Sequence, residues 1–328
     1  DVSHKSVIEG DVVFESSLGT FRAREHYGSY SGKEFGDVIR KSVQRAVVEG
    51  ELLVRAGNSL RDAHEEFSAE LDRICTILSL CYRQPVSFYE VKYIASAELD
   101  IHPWKRISKV RYKNPRVLEK RTSSELISVR ELIDGGFQRL IESMAKSAHR
   151  DILSYAISFL SASREASLET AYFMVFASLE AILNISCGEN AGPQFSSSRK
   201  NLLKAELGAT IDRVATRVEA EVMKAKLAEL FRQTLEQRTS RALAALQPKT
   251  DDLWPGGDVE EGLKCAARIR NGLVHALDLS DPQSVDRNLV RVRTLVERLI
   301  LKMLQWPDDA VWRWSDDELR WANELGLM

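Results

Sequence analysis

Cys265-Ala266-Ala267-Arg268-Ile269-Arg270-Asn271-Gly272-Leu273-Val274-His275-Ala276-Leu277 is the stretch around which the rest of the chain is read. Its apolar residues recur at the spacing of an amphipathic helix. An arginine, an amide and a histidine nevertheless fall within six positions, at 270, 271 and 275. Histidine is the side chain that titrates unperturbed near neutral pH, and a neighbouring guanidinium can meet negative charge developing on a phosphate. Asn271 and His275 are four residues apart and share one helix face. Arg270 lies about 140° from His275 at about 100° per residue, so its side chain has to curl round to join them. Gly272 costs roughly 1 kcal/mol against alanine in a helix, which close approach of a second helix, or of RNA, would offset.

Outward from this helix, the second half of the chain reads as helical. Residues 248–257 are expected to be a loop, residues 211–246 a long amphipathic stretch broken near Thr239-Ser240, and residues 187–198 a Gly/Pro/Ser loop. Residues 167–185 read as a helix with a Ser cap and Glu169 in its first turn. Residues 149–160 and 124–140 read as two more, the latter weakened by Gly135-Gly136. Residues 282–305 form the last long helix, with Leu289, Val292, Val296, Leu299 and Leu304 on its inner face. A tail over 311–327 carries Trp312, Trp314 and Trp321, suited to packing or to a dimer clasp.

Before residue 120 the pattern is mixed. Residues 11–15, 21–24 and 47–56 alternate like strands. Phe67, Leu71, Ile74, Leu78 and Cys81 line one helical face, a helix that Pro85 ends. Residues 86–94 are β-branched and aromatic, as in a strand, and residues 103–121 read as a loop with two prolines. The expected fold class is therefore α+β. An N-terminal mixed α/β accessory or regulatory domain over 1–120 precedes a mainly α-helical bundle of about five helices over 121–328.

Composition bounds the function classes. Of the 328 residues, 44% are hydrophobic and 29% charged, the balance of a soluble globular protein. A net charge of −2 excludes a generically basic nucleic-acid binder, so an RNA contact has to come from a local patch. Cys75, Cys81, Cys187 and Cys265 form no C-x-x-C pair and are too few for a disulfide scaffold; they read as reduced, packed thiols of a cytoplasmic protein. The longest apolar run, residues 171–177, is far short of the about 20 residues of a membrane span, so no membrane contact is expected. His4, His26, His64, His102 and His149 lack metal-ligand spacing, and neither a metal nor a cofactor is expected. Residues 28–34 are one residue short of a phosphate loop and carry Glu34 where it needs Ser or Thr.

Cleavage of RNA by its own 2′-hydroxyl needs a base for the hydroxyl proton, an acid for the leaving 5′-oxygen, and positive charge at the phosphate. His275 suits either proton role, and Arg270 suits the charge role because its guanidinium forks onto two phosphate oxygens. Asn271 could orient the ring or bind a phosphate oxygen. One histidine cannot easily stand on both sides of one phosphate, so a composite site at the interface of a homodimer is expected.

Arg270-Asn271-x-x-x-His275 resembles the signature of the HEPN superfamily (higher eukaryotes and prokaryotes nucleotide-binding), and residues 267–275 are similar to its RNase-type members. The helix over 169–183 resembles the one that precedes the motif in Apea-like HEPN proteins of antiphage defence, where a glutamate matching Glu180 sits near the active site. The resemblance covers roughly residues 124–305 and extends weakly to residues 71–94, which are similar to the accessory N-terminal domain of such proteins. It implies a dimerising helical bundle, metal-independent endoribonuclease activity leaving 2′,3′-cyclic phosphate ends, and a role in abortive infection or toxin-like antiviral defence. Arg270, His275, Asn271 and Glu180 are the implied catalytic set, with Glu180 placing Arg270. Toxins of this superfamily that are silenced by nucleotide transfer carry a tyrosine two residues after the histidine; here that position is Leu277, which speaks against that subclass.

Blander readings stand beside these. His275 could cap its own helix near Asp278, Glu180 could be a buried carboxylate paired with an arginine, and Gly272 could serve packing alone. The basic run containing Lys105, Arg106, Lys109, Arg111 and Tyr112 could bind RNA through charge and stacking or could be solvated surface. The expected partners are RNA, such as tRNA or other single-stranded RNA, a second copy of the chain, and a trigger molecule that activates it. The alternative function is a non-catalytic helical dimer that binds RNA, a nucleotide or a protein.

Overall fold

The computed structural model describes residues 12–16, 19–25, 43–44, 46–50, 60–87, 90–97, 104–111, 118–119, 126–127, 131–186, 196–227, 233–256, 258–276, 281–307 and 316–324. For the strands, and for residues 60–64, 66, 133, 197, 274–276 and 316–318, this covers the backbone alone.

The expected α+β class is corrected to an all-α fold. Among residues with described side chains there is no strand or sheet. Strands do occur in the described backbone, but only as separate antiparallel ribbons. β1 (Val12–Ser16), β2 (Gly19–Glu25) and β4 (Ala46–Gly50) form one, β3 (Val43–Gln44) and β7 (Leu118–Glu119) a second, and β5 (Glu90–Ala97) and β6 (Trp104–Arg111) a third. Period-2 alternation thus marked local strand pairing. The expected loop over 103–121 contains β6, paired to β5 from Ala97↔Trp104 to Glu90↔Arg111.

Among the described side chains, the core belongs to helices. α1 (Leu60–Cys81) supplies Leu71, Ile74, Ile77, Leu80 and Cys81 to the same buried cluster as the helices beyond residue 130. A single turn of π-helix over Leu132–Gly136 leads into α2 (Phe137–Lys146). Gly135 there has φ +89°, a left-handed backbone that glycine adopts without strain. Of the helix expected over 124–140, residues 126–127 are a bend and regular α-helix runs from Phe137. α3 (Arg150–Ala162) packs on α4 (Leu168–Ser186), and the Ser178 hydroxyl of α4 donates to the Ala156 carbonyl of α3 at 2.9 Å.

α4 is buried along much of its circumference, through Ala171, Tyr172, Val175, Phe176, Ser178, Leu179, Ile182, Leu183 and Ile185. A helix this apolar belongs in the interior. By length and composition alone it would also pass for a membrane span.

α5 (Ser197–Val214) starts at Ser196, whose hydroxyl accepts from the Arg199 amide at 3.3 Å. A bend at Ala215 and Thr216 separates it from α6 (Arg217–Leu227). α7 (Leu235–Leu246) opens on a Thr234–Gln237 capping box. The break expected near Thr239-Ser240 is absent, because both hydroxyls bond back into the helix, to the Leu235 carbonyl at 2.9 Å and the Glu236 carbonyl at 3.1 Å. No residue of α5 or α6 joins the core cluster, and Val214, Val218 and Val222 stand exposed.

α8 (Val259–Ala276) carries the motif, α9 (Pro282–Met303) crosses the interior, and α10 (Asp316–Glu324) covers one side of α9. Asp281 caps α9, accepting from the Ser284 amide at 3.0 Å, with Pro282 in the first turn where its missing N–H costs nothing. All five residues expected on the inner face of α9 are buried. Tryptophans fill two glycine notches: a β-carbon on Gly136 would collide with Trp306, and one on Gly262 with Trp254.

Candidate functional site

The site is built where α4 and α8 run side by side. On α4, Tyr172, Phe176 and Glu180 follow at four-residue intervals, which puts them on one stripe. On α8, Ala266 and Arg270 have the same relation. The buried Tyr172 hydroxyl donates to the Ala266 carbonyl at 3.1 Å. One turn further along both helices, the Arg270 guanidinium lies 5.2 Å from the centroid of the Phe176 ring, and its Nη1 donates to Glu180 Oε1 at 2.7 Å. Contacts that advance together in both sequences mean that the helices are parallel here.

Each rung supports the next. Tyr172 and Phe176 stack with centroids 5.4 Å apart and planes 15° from parallel. Burial pushes the Tyr172 hydroxyl well above the usual phenol range; Cys265 adds to the rise and Arg270 opposes it. The phenol therefore stays a neutral donor, and its bond to Ala266 pins α8 against α4. The guanidinium then rests on an aromatic face that is itself fixed.

Arg270 remains accessible: its side chain is 28% exposed and that of Glu180 41%. Arg270 Nε and Nη2 both point at Asn271 Oδ1, at 3.4 and 3.3 Å, beyond the usual N–H···O range of about 2.7–3.2 Å. Arg270, Asn271 and Glu180 are thus one cluster on the surface of the helical body. The alternative of a buried Glu180 is corrected: the carboxylate is paired with Arg270, but it is half-exposed.

The backbone of His275 continues α8 one turn beyond Asn271; its side chain lies outside the described residues. Gly272 is half-buried. Lys105, Arg106, Lys109 and Arg111 lie on β6, with Lys105, Lys109 and Arg111 at alternating positions and Arg106 in the other phase. Tyr112 falls outside the described residues. Among the described residues no group of three His, Cys, Asp or Glu could hold a metal ion.

Of the cysteines, Cys81 is buried, Cys75 is half-buried and Cys265 is exposed, so Cys265 is not the packed thiol expected. Cys187 and Leu277 lie outside the described residues. Sequence reasoning did not single out Tyr172 and Phe176 as the support of Arg270. The signal was present in the i, i+4, i+8 spacing of Tyr172, Phe176 and Glu180, which was absorbed into an apolar helix.

Comparison of the chain with known protein families, curated proteins and solved structures finds no match.

Proposed function

We propose that this protein is a metal-independent endoribonuclease whose site is completed between two copies of the chain. The observation that carries the reading is the clamped, half-exposed guanidinium of Arg270, held by Glu180 and Phe176 on the helix that also presents Asn271 and His275. A fixed, accessible arginine is what a phosphate in an oxyanion-stabilising site needs. Glu180 and Phe176 hold it in place, with Asn271 beside it.

In the proposed reaction a histidine takes the proton of the RNA 2′-hydroxyl, and the 2′-oxygen attacks phosphorus. The bond from phosphorus to the 5′-oxygen breaks, and a second proton donor protonates that oxygen. The products are a 2′,3′-cyclic phosphate and a 5′-hydroxyl. The His275 residues of the two copies take the base and acid roles on opposite sides of the phosphate. The substrate is tRNA or other single-stranded RNA. The biological setting is antiphage defence of the abortive-infection type, where uncontrolled RNase activity would harm the host and a trigger molecule would release it.

The test is incubation of the full chain with labelled single-stranded RNA and total tRNA in EDTA, beside His275→Ala. The wild type is expected to leave cyclic phosphate ends, and the variant to lose cleavage by about 100-fold or more while its melting temperature is kept. A folded wild type that cleaves nothing, even with candidate triggers, overturns the reading.

A second reading is favoured by one observation: Nε, Nη1 and Nη2 of Arg270 each already donate to a protein acceptor. On that reading the cluster is an element of a non-catalytic helical dimer that binds RNA, a nucleotide or a protein, and RNA would be bound but not cut.

A further inference from the structure

We infer that Asn271 is a neutral placeholder on the anion-binding edge of Arg270, giving way when a phosphodiester arrives. The inference rests on the reading of Arg270 as the phosphate-binding group and specifies which edge of it binds.

A guanidinium presents its five N–H donors as forks, each matching two oxygens of a phosphate. The Nη1 corner of Arg270 is taken by a charged, short bond to Glu180 at 2.7 Å. Its face rests on Phe176, which is backed by Tyr172 and the Ala266 carbonyl. These contacts need not change for a ligand to bind. The Nε/Nη2 edge differs: both donors converge on the single Oδ1 of Asn271 at 3.4 and 3.3 Å. One uncharged oxygen shared between two long bonds is a poor partner for a fork that could form two charge-assisted bonds of about 2.8 Å.

The Asn271 side chain is exposed, so displacing it returns an amide to water without opening the core. The cluster thus has a fixed half, on Glu180 and Phe176, and an exchangeable half, on Asn271. Position 271 then sets how readily the edge is vacated. A carboxylate there would have the same shape and a full charge, and would hold the fork against an incoming phosphate. An alanine would leave the fork open.

The experiment uses the full chain, isotope-labelled at arginine, with the Arg270 Nε–H resonance assigned by its loss in Arg270→Lys. The probes are inorganic phosphate and a 2′-deoxy dinucleoside monophosphate, which can bind but cannot be cleaved through a 2′-hydroxyl. Both probes are expected to shift the resonance. Asn271→Ala is expected to bind the dinucleotide at least as tightly as wild type, and Asn271→Asp at least 10-fold more weakly. Equal weakening in both variants would make Asn271 itself a ligand or a structural support, and would overturn the inference. So would the absence of any shift in the wild type. Cleavage is measured separately: binding with the expected variant pattern but no RNase activity sinks only the enzyme reading, and RNase activity without the pattern sinks only this inference.

Discussion

Two sets of arginines in this molecule are paired with carboxylates, and their surroundings give them opposite uses. In the interior, Glu297 of α9 accepts from Arg83 at 2.7 Å and from Arg164 at 3.1 Å, with the Glu297 and Arg83 side chains only 2% and 1% exposed. One residue further, Arg298 grips both oxygens of Asp252, at 2.6 and 2.8 Å, and donates to the Lys249 carbonyl at 2.8 Å. These pairs stitch α9 to the end of α1, to the turn between α3 and α4, and to the loop before α8. On the surface, Arg270 and Glu180 join only α8 to α4 and stay in reach of solvent. Charge removed from water is held by its partner at a high cost of separation, whereas charge left near water can exchange partners cheaply. The pairs on Glu297 are buried on both sides and the Arg298–Asp252 pair on its arginine side, so these fix the fold; the Arg270–Glu180 pair, partly exposed on both sides, is available for a ligand.

The largest expected effect breaks the buried side. Glu297→Ala would remove the buried carboxylate that Arg83 and Arg164 share. It is expected to cost about 3–5 kcal/mol, read as a lowered urea midpoint at unchanged slope. A loss below about 1 kcal/mol would show that other contacts hold both arginines once the carboxylate is gone.

Next in size is Gly262→Ala. The added methyl meets the ring of Trp254, in the loop that carries Asp252. Overpacking of this kind costs about 1–3 kcal/mol, and chemical denaturation would measure it. The loss should shrink when combined with Asp252→Ala, because the first change already loosens the grip on Arg298.

Acid should act on the Asp252–Arg298 pair. Burial alone would raise the Asp252 carboxyl, but hydrogen bonds and charge from Arg298, with Lys249, outweigh it and hold the group below its ordinary value. A lowered folded-state value means that this stabilisation is fully present above the unfolded value near ~3.9 and is lost as pH falls through the folded one. Its contribution should therefore be flat from pH 5 to 8 and decline below about pH 4, and Asp252→Asn should remove that step from the stability profile.

The smallest effect is on the surface side. Arg270→Met is expected to change stability by less than about 1 kcal/mol, with the apolar stem still covering Phe176. A loss of several kcal/mol would place Arg270 with the structural arginines and take away its availability.

The helical half of the chain was legible because the 3.6-residue period survives along long helices. The 167–185, 259–277 and 282–305 segments match α4, α8 and α9 within about two residues. The fold class was misread because alternation over five to eight residues signals a strand locally and says nothing about whether strands gather into a core sheet. Thr239 and Ser240 looked like a break because hydroxyls compete for backbone bonds, and here they bond within the helix instead. At the site, the Arg270–Glu180 pairing was legible from residue types, given two apolar helices each interrupted by charge. The Phe176 and Tyr172 support was not, because a buried aromatic under an arginine looks in sequence like any core residue. Arg83 was invisible for a related reason: its left-handed φ of 52° and its partner 214 positions away are properties of the packed molecule.

The α5–α6 hairpin has a consequence in time. Its buried residues, Ile211 and Ala220, belong to no larger cluster, so opening it exposes little apolar surface. Its amides should trade hydrogen for deuterium as one cooperative unit, well ahead of those in α4 and α9. Among the described helices, α5 and α6 should be cut first by a protease at low dose, before α4 and α9.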